Sequence, residues 1–334
     1  MYVLACPACY PGIFLQPLKR DSSIDALKAV MVFLVVLGHT GGYDPLIRKV
    51  IYSFHMPVFV FLSGYLTSSG TPKEKRRKWF IKTVVIYACA QAAHVLLGFA
   101  AQKSSSTPLL NWQLLTTPRP ILWYLVSLIF WRLLAWKLLG KLSDVHLLML
   151  SFALALASGL VPLDREFSFQ RTFAFFPFFA AGVVSRRRNL LEKLEVFPVW
   201  AALVLLAAGL YTAWKIPWSY QPKFHYAAWN DALVRFLQTL LGFLLCFSIL
   251  RLSRENSRGY FSKYGKYTLW IYIGHSFLTN LDCHAESVAR RLFPGFEMNL
   301  LAAALLALVY CTVCIVAAKV LTALREYQKR SLIL

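Results

Sequence analysis

The 334-residue sequence predicts an all-α polytopic membrane protein of about ten transmembrane helices with both termini cytoplasmic. Three observations carry that prediction. Hydrophobic residues make up 58% of the chain and charged residues 15%, whereas a soluble globule is clothed by about 25% charged residues. The apolar residues gather into ten separate stretches. With the N-terminus placed inside, 25 of the 36 Lys and Arg residues fall at the inner ends of those stretches, which is the asymmetry that orients membrane helices. The same composition excludes disorder, because so much Leu, Ile, Val and aromatic surface does not stay solvated.

A spanning helix needs about 20 mostly apolar residues, and fewer inside a bundle. The first stretch, 24–40, places Asp25, Lys28 and His39 within about 60° of one another on a helical stripe. The second, 46–67, holds His55 beside Pro57, which frees the Ser53 carbonyl and invites a kink. Ser63, Gly64 and Tyr65 near its inner end allow close helix approach. The third, 79–101, follows the basic run PKEKRRKWFIK; the fourth is 120–139, and the fifth, 146–162, is short. The sixth, 172–185, is also short and leads into SRRRNLLEKLE; the seventh is 196–214. The eighth, 231–250, opens on Asn230 and Asp231, which read as an N-cap with an Asp231–Arg235 ion pair at i,i+4. The ninth, 266–281, is short and carries Thr268, Tyr272 and His275 on one face. The tenth is 299–322. The chain therefore divides into a cytoplasmic segment 1–23, one transmembrane domain 24–322 and a cytoplasmic tail 323–334. No internal repeat is visible, and no cleaved signal is expected at the N-terminus.

The net charge of +21 suggests nucleic acid in a soluble protein, but in a membrane protein it reads as basic inner loops facing anionic lipid. No nucleic-acid partner is expected. Cys89, Cys246, Cys311 and Cys314 lie in apolar runs and read as small hydrophobes. Cys6 and Cys9 form one CxxC without a second pair. The three intramembrane histidines lack metal-ligand spacing, so no metal is expected. Nucleophile elbows, P-loops and dinucleotide fingerprints are absent from the sequence.

The chemistry concentrates on the histidines. An ionisable group at membrane depth is costly and normally faces a cavity or a partner. Lys28 and His39 are eleven residues apart, about 16 Å along the helix, and Asp25 is about 21 Å from His39, too far to orient it. His55 lies on the next antiparallel helix, and His275 is the third. The outer loop 214–231 interleaves Trp214, Trp218, Tyr220, Tyr226 and Trp229 with polar groups, suited to interfacial anchoring or to stacking on sugar rings.

Asp25-Ala26-Leu27-Lys28 with Gly38-His39, then Phe54-His55-Met56-Pro57 and Phe61-Leu62-Ser63-Gly64-Tyr65, resembles the integral-membrane acyltransferase-3 family, in its fucose 4-O-acetylase-like and surface-glycan O-acetyltransferase branch. Leu122-Trp123-Tyr124-Leu125, Phe176-Pro177-Phe178-Phe179 with Gly182, and Ile271-Tyr272-Ile273-Gly274-His275 are similar to its later landmarks. Lys28 stands where many members carry Arg. The resemblance implies a multi-pass enzyme of the cell (inner) membrane that transfers acetyl from cytoplasmic acetyl-CoA to a hydroxyl of an extracytoplasmic or lipid-linked glycan. It implies His39 as general base with His55 or His275 assisting, and Lys28, Asp25, Ser63 and Tyr65 toward the donor. Trp123, Tyr124, Trp218, Tyr220 and Trp229 are expected toward the acceptor. With no further domain after Leu334, transfer is expected to finish within the membrane domain or on a separate partner. The alternatives are a transporter or exporter with a His-lined path, or the same fold with an amine acceptor or a succinyl donor.

Overall fold

The computed structural model describes residues 21–40, 44–68, 70–101, 116–118, 121–138, 141–163, 166–216, 222–255, 259–279, 282–293, 295 and 297–331. Among them the regular structure is helical, with no strand. The helices are α1 (Ser22–His39), α2 (Pro45–Tyr65), α3 (Lys73–Ala101), α4 (Trp123–Leu138), α5 (Asp144–Ala157), α6 (Phe169–Ala174) and α7 (Phe176–Arg187). They continue as α8 (Leu190–Lys193), α9 (Val199–Lys215), α10 (Asn230–Ser253), α11 (Thr268–Leu278), α12 (Asp282–Leu292) and α13 (Leu300–Ser331). All ten apolar stretches carry helix. Five of these helices are long and apolar enough to cross a membrane, namely α1, α2, α3, α10 and α13; two bent pairs raise the number to seven.

Local sequence explains where these helices start and break. Asp21 caps α1, its Oδ1 accepting from the N–H groups of Ser23 and Ile24 at 2.9 and 3.4 Å. Asp44 caps α2 through the N–H of Leu46 at 2.7 Å, with Pro45 at the start of the helix. The single span expected at 172–185 is two helices, α6 and α7, bent by 53°. Pro177 has no N–H to continue α6, and it starts α7 instead. Pro198 likewise separates the 190–196 turn from α9 at a bend of 105°. Two features differ from the sequence reading. The helix expected to end at 322 runs through Ser331, and α12 is an additional helix, apolar along one face only.

Two buried apolar clusters share α2. Its Val58, Phe59, Phe61 and Leu62 join α1, α10, α11 and α13 in one cluster, while its Val60 joins α4, α5 and α7 in the other. The α2–α7 crossing is the closest approach. A Cβ on Gly64 would lie 2.0 Å from the Phe179 carbonyl oxygen, and one on Gly182 would lie 2.0 Å from that of Phe61. Only glycine lets two backbones meet this way. Ion pairs tie the basic ends of the helices together. Arg254 pairs with Asp21 at 2.6 Å and with Glu195 at 2.8 Å, and Arg187 and Arg188 pair with Asp144 at 2.8 and 2.5 Å.

Candidate functional site

Each of the three histidines is oriented by its own helix. The Nδ1 of His39 lies 2.7 Å from the Val35 carbonyl oxygen, that of His55 2.8 Å from Ile51 O, and that of His275 2.9 Å from Ile271 O. A carbonyl oxygen only accepts, so each Nδ1 donates. The neutral ring then keeps its lone pair on Nε2. His55 and His275 are buried, and His39 is half-buried. Among the described residues the buried Nε2 of His275 has no hydrogen-bond partner.

The rings converge from three helices. His39, the last residue of α1, lies with its ring centroid 5.4 Å from His275 and 6.0 Å from Tyr52. Tyr52 lies in turn 5.1 Å from His55. Its hydroxyl donates to the Gly38 carbonyl at 2.7 Å, and a Cβ on Gly38 would lie 2.7 Å from its ring. The Gly38-His39 pair is thus one device. The glycine admits the tyrosine ring that fixes the start of α2 against the end of α1.

A cavity of about 330 Å³ approaches this group from the basic end. Lys28 and Lys266 border it, Ser63, Tyr124, Thr268 and Tyr272 supply hydroxyls, and the rest of the wall is apolar. It reaches Val35, whose carbonyl holds His39, and Tyr272, whose ring is 6.2 Å from His275. Lys28 Nζ pairs with Asp25 Oδ1 at 2.6 Å, and Ser63 Oγ meets the Tyr124 hydroxyl at 2.5 Å. The Tyr272 hydroxyl donates to the Ile121 carbonyl.

The residues expected to face the acceptor divide. Tyr124 lines the same cavity as Lys28 and Ser63, so it shares the wall expected to face the donor. Trp123 is buried beside it under the Arg171 guanidinium, 5.2 Å from its ring. Trp229 is 94% exposed at the start of α10. Trp218 and Tyr220 lie outside the described residues. Tyr65 is not on the cavity wall; its ring packs in the α1–α2 cluster, and its carbonyl accepts from Arg186 at 3.4 Å.

The expected Asp231–Arg235 ion pair does not form. Asp231 accepts from the N–H groups of Ala227 and Ala228 at 2.8 and 3.0 Å. Arg235 is buried and turns to the end of α5. It donates to Ala155 O and Ser158 Oγ at 2.9 Å, to Phe224 O at 2.9 Å and to Gln170 Oε1 at 3.1 Å, with its guanidinium 4.7 Å from the Tyr226 ring. The carbonyl end of a helix is a favourable place for a cation. The sequence reading also missed Tyr52 and Arg171. Arg171 sits on α6 just beyond Phe167 and Ser168, two consecutive residues with positive φ (47° and 58°). It is steadied by its neighbour Thr172, whose carbonyl accepts from Trp131 Nε1 at 2.7 Å and whose hydroxyl bonds Ser127 at 2.7 Å. An arginine in a mostly apolar helix was the available signal for Arg235 and Arg171.

Residues 21–319 match the model of a family described as "Acyltransferase domain". Nodulation protein NolL of Sinorhizobium fredii (strain NBRC 101917 / NGR234) is 42% identical over 64 residues, 16% of this chain and 17% of that protein. Nodulation protein NolL of Mesorhizobium japonicum (strain LMG 29417 / CECT 9101 / MAFF 303099) is 36% identical over 63 residues, with the same coverage. The chain thus matches about a sixth of the length of each of these curated relatives. No solved structure matches.

Proposed function

We infer, because the chain belongs to the acyltransferase family matched across residues 21–319, that it acylates a hydroxyl on the outer side of the cell membrane from a cytoplasmic CoA thioester. The acyl group proposed is acetyl, and the acceptor is an extracytoplasmic or lipid-linked glycan. The observation that carries this reading is the orientation of the His39 ring, whose lone pair is left on Nε2. Its Nδ1–H is committed to the Val35 carbonyl, and Val35 is also a wall residue of the cavity bordered by Lys28, which none of the three histidines lines directly.

The chemistry follows from that nitrogen. The acceptor hydroxyl passes its proton to His39 Nε2 as its oxygen attacks the thioester carbonyl. The tetrahedral oxyanion collapses with cleavage of the C–S bond, and the departing thiolate takes the proton back from the imidazolium. A neutral imidazole with its lone pair on Nε2 suits the first step, and a positioned base typically contributes about 10²–10⁴-fold. His275, 5.4 Å away and also bearing a free Nε2, is the neighbour best placed to exchange the proton or orient the acceptor. Lys28 and Lys266 suit the anionic end of the donor, and the cavity hydroxyls suit the amides of its arm.

The test is transfer from radiolabelled acetyl-CoA into glycan or lipid-linked sugar by purified protein in lipid. His39→Gln keeps hydrogen-bonding capacity but takes no proton near neutral pH. It should lose at least about 10²-fold in turnover while the protein still extracts as a folded species and binds acetyl-CoA. Near-normal turnover in folded His39→Gln leaves His39 a structural group and removes the base from this mechanism.

A further inference from the structure

The site holds one contact that the mechanism above does not use. His94, on α3, places its Nε2 2.8 Å from Ser276 Oγ on α11. Ser276 Oγ also lies 2.7 Å from the Ile273 carbonyl oxygen. That oxygen only accepts, so the serine proton points to it and the His94 Nε2–H donates to the serine. The His94 ring simultaneously stacks on Phe277, with centroids 4.1 Å apart and planes at 11°. One ring therefore grips two consecutive side chains of α11. They immediately follow His275, whose ring faces His39.

Consecutive side chains leave a helix about 100° apart. Holding both to one rigid ring blocks rotation of α11 about its own axis. Such a stop is needed, because α11 spans only Thr268–Leu278. Its other side rests on α13 at Gly274, where a Cβ would lie 2.6 Å from Cys314 Sγ. A rotation of about 20° would carry a side-chain tip at a radius of roughly 5–6 Å through about 2 Å. Misplacement of a reacting group by even 1 Å can cost about 10²-fold.

We propose that His94 is a positioning residue for His275, acting through the Ser276 hydroxyl and the Phe277 ring to set the angle at which the His275 imidazole meets His39. The role in turnover rests on the acyl-transfer reading; the positioning itself does not. Three variants separate its parts. His94→Phe keeps the stack and loses the donor. His94→Gln keeps an N–H near the position of Nε2 but loses the stack, so it restores only the hydrogen-bonded part of the grip. Ser276→Ala removes the acceptor.

The experiment has two arms on the full chain in lipid. In the first, ¹⁵N-histidine spectra should show the His275 ring signals shifted or broadened in His94→Phe and Ser276→Ala, and restored toward wild type in His94→Gln. Unchanged His275 signals in both disrupting variants overturn the proposal whether or not the protein transfers acetyl groups. In the second, His94→Phe and Ser276→Ala should each lower kcat at least about 10-fold, with KM for acetyl-CoA held within about twofold. The double variant should be no worse than either single, and His94→Gln should recover part of kcat relative to His94→Phe. Wild-type kcat in Ser276→Ala, or a loss in His94→Phe that Gln does not rescue, also overturns it. A wild-type protein without transferase activity would count against the function proposed above and leave the spectral arm to decide this one.

Discussion

Lys28 and His39 carry most of what one residue at a time can teach about this site. Their spacing on α1 was legible, because eleven residues of helix return nearly to the same face. Which of His55 and His275 meets His39 was not. Pairing it with His275 requires α11 to come back against α1, and no local pattern encodes that return. Arg235 was misread for a related reason. Helical neighbours at i,i+4 made Asp231 the obvious partner, but the terminal nitrogens of the buried guanidinium donate to carbonyl and amide oxygens from α5, α6 and the 222–229 loop. Two substitutions test the donor side and the base in turn. Lys28→Ala should raise KM for acetyl-CoA several-fold and leave KM for the acceptor unchanged. Because it also removes the ion-pair partner of the buried Asp25 carboxylate, the double change Asp25→Asn/Lys28→Ala should show the same donor KM if the lysine charge is what the donor meets. Gly38→Ala pushes a methyl into the Tyr52 ring. It should reduce kcat more than either KM, as measured in steady-state assays on the folded variant.

Among the elements, α1 and α2 matched the sequence reading closely because caps and a proline mark their ends. The stretch at 172–185 did not, because hydropathy averages across a break that Pro177 makes sharp. Gly64 was read as allowing close approach, and the structure gives that reading a partner in α7, where Gly182 makes the reciprocal contact. At Gly182 an added methyl meets backbone rather than a movable side chain. Gly182→Ala should therefore destabilise by about 1–3 kcal/mol, the usual range for overpacking, seen as a lower midpoint in detergent thermal unfolding. The start of α1 is sensitive to acid instead. Burial pushes the Asp21 carboxyl up, but hydrogen bonds from Ser23 and Arg254 and the Arg254 charge outweigh it and hold the group below its ordinary value of 3.8. A depressed carboxyl stabilises fully above its unfolded value, and the contribution fades as pH falls toward the folded value. Asp21→Asn should thus lower the unfolding midpoint by a constant amount from pH 8 to pH 5. The gap to wild type should close below about pH 4. A gap that persists at acid pH rules out the ionised pair as its source.

For the molecule as a whole, composition fixed the class and the charge asymmetry proposed an orientation. That orientation is directly testable in intact cells: a cysteine at position 193 should resist an impermeant thiol reagent and one at position 223 should label, each scored against wild type. The opposite pattern inverts donor and acceptor sides together. What composition never encoded is that one helix, α2, walls both apolar clusters. It is seated on α7 by two backbone-to-glycine contacts, while Gly242 of α10 meets Phe178 and Pro57. A joint with no slack cannot serve as a hinge. Nitroxide labels placed across α2 and α7 should therefore keep one narrow distance distribution in every stage of turnover. Whatever breathing admits and releases the two substrates must be sought away from the α2–α7 joint.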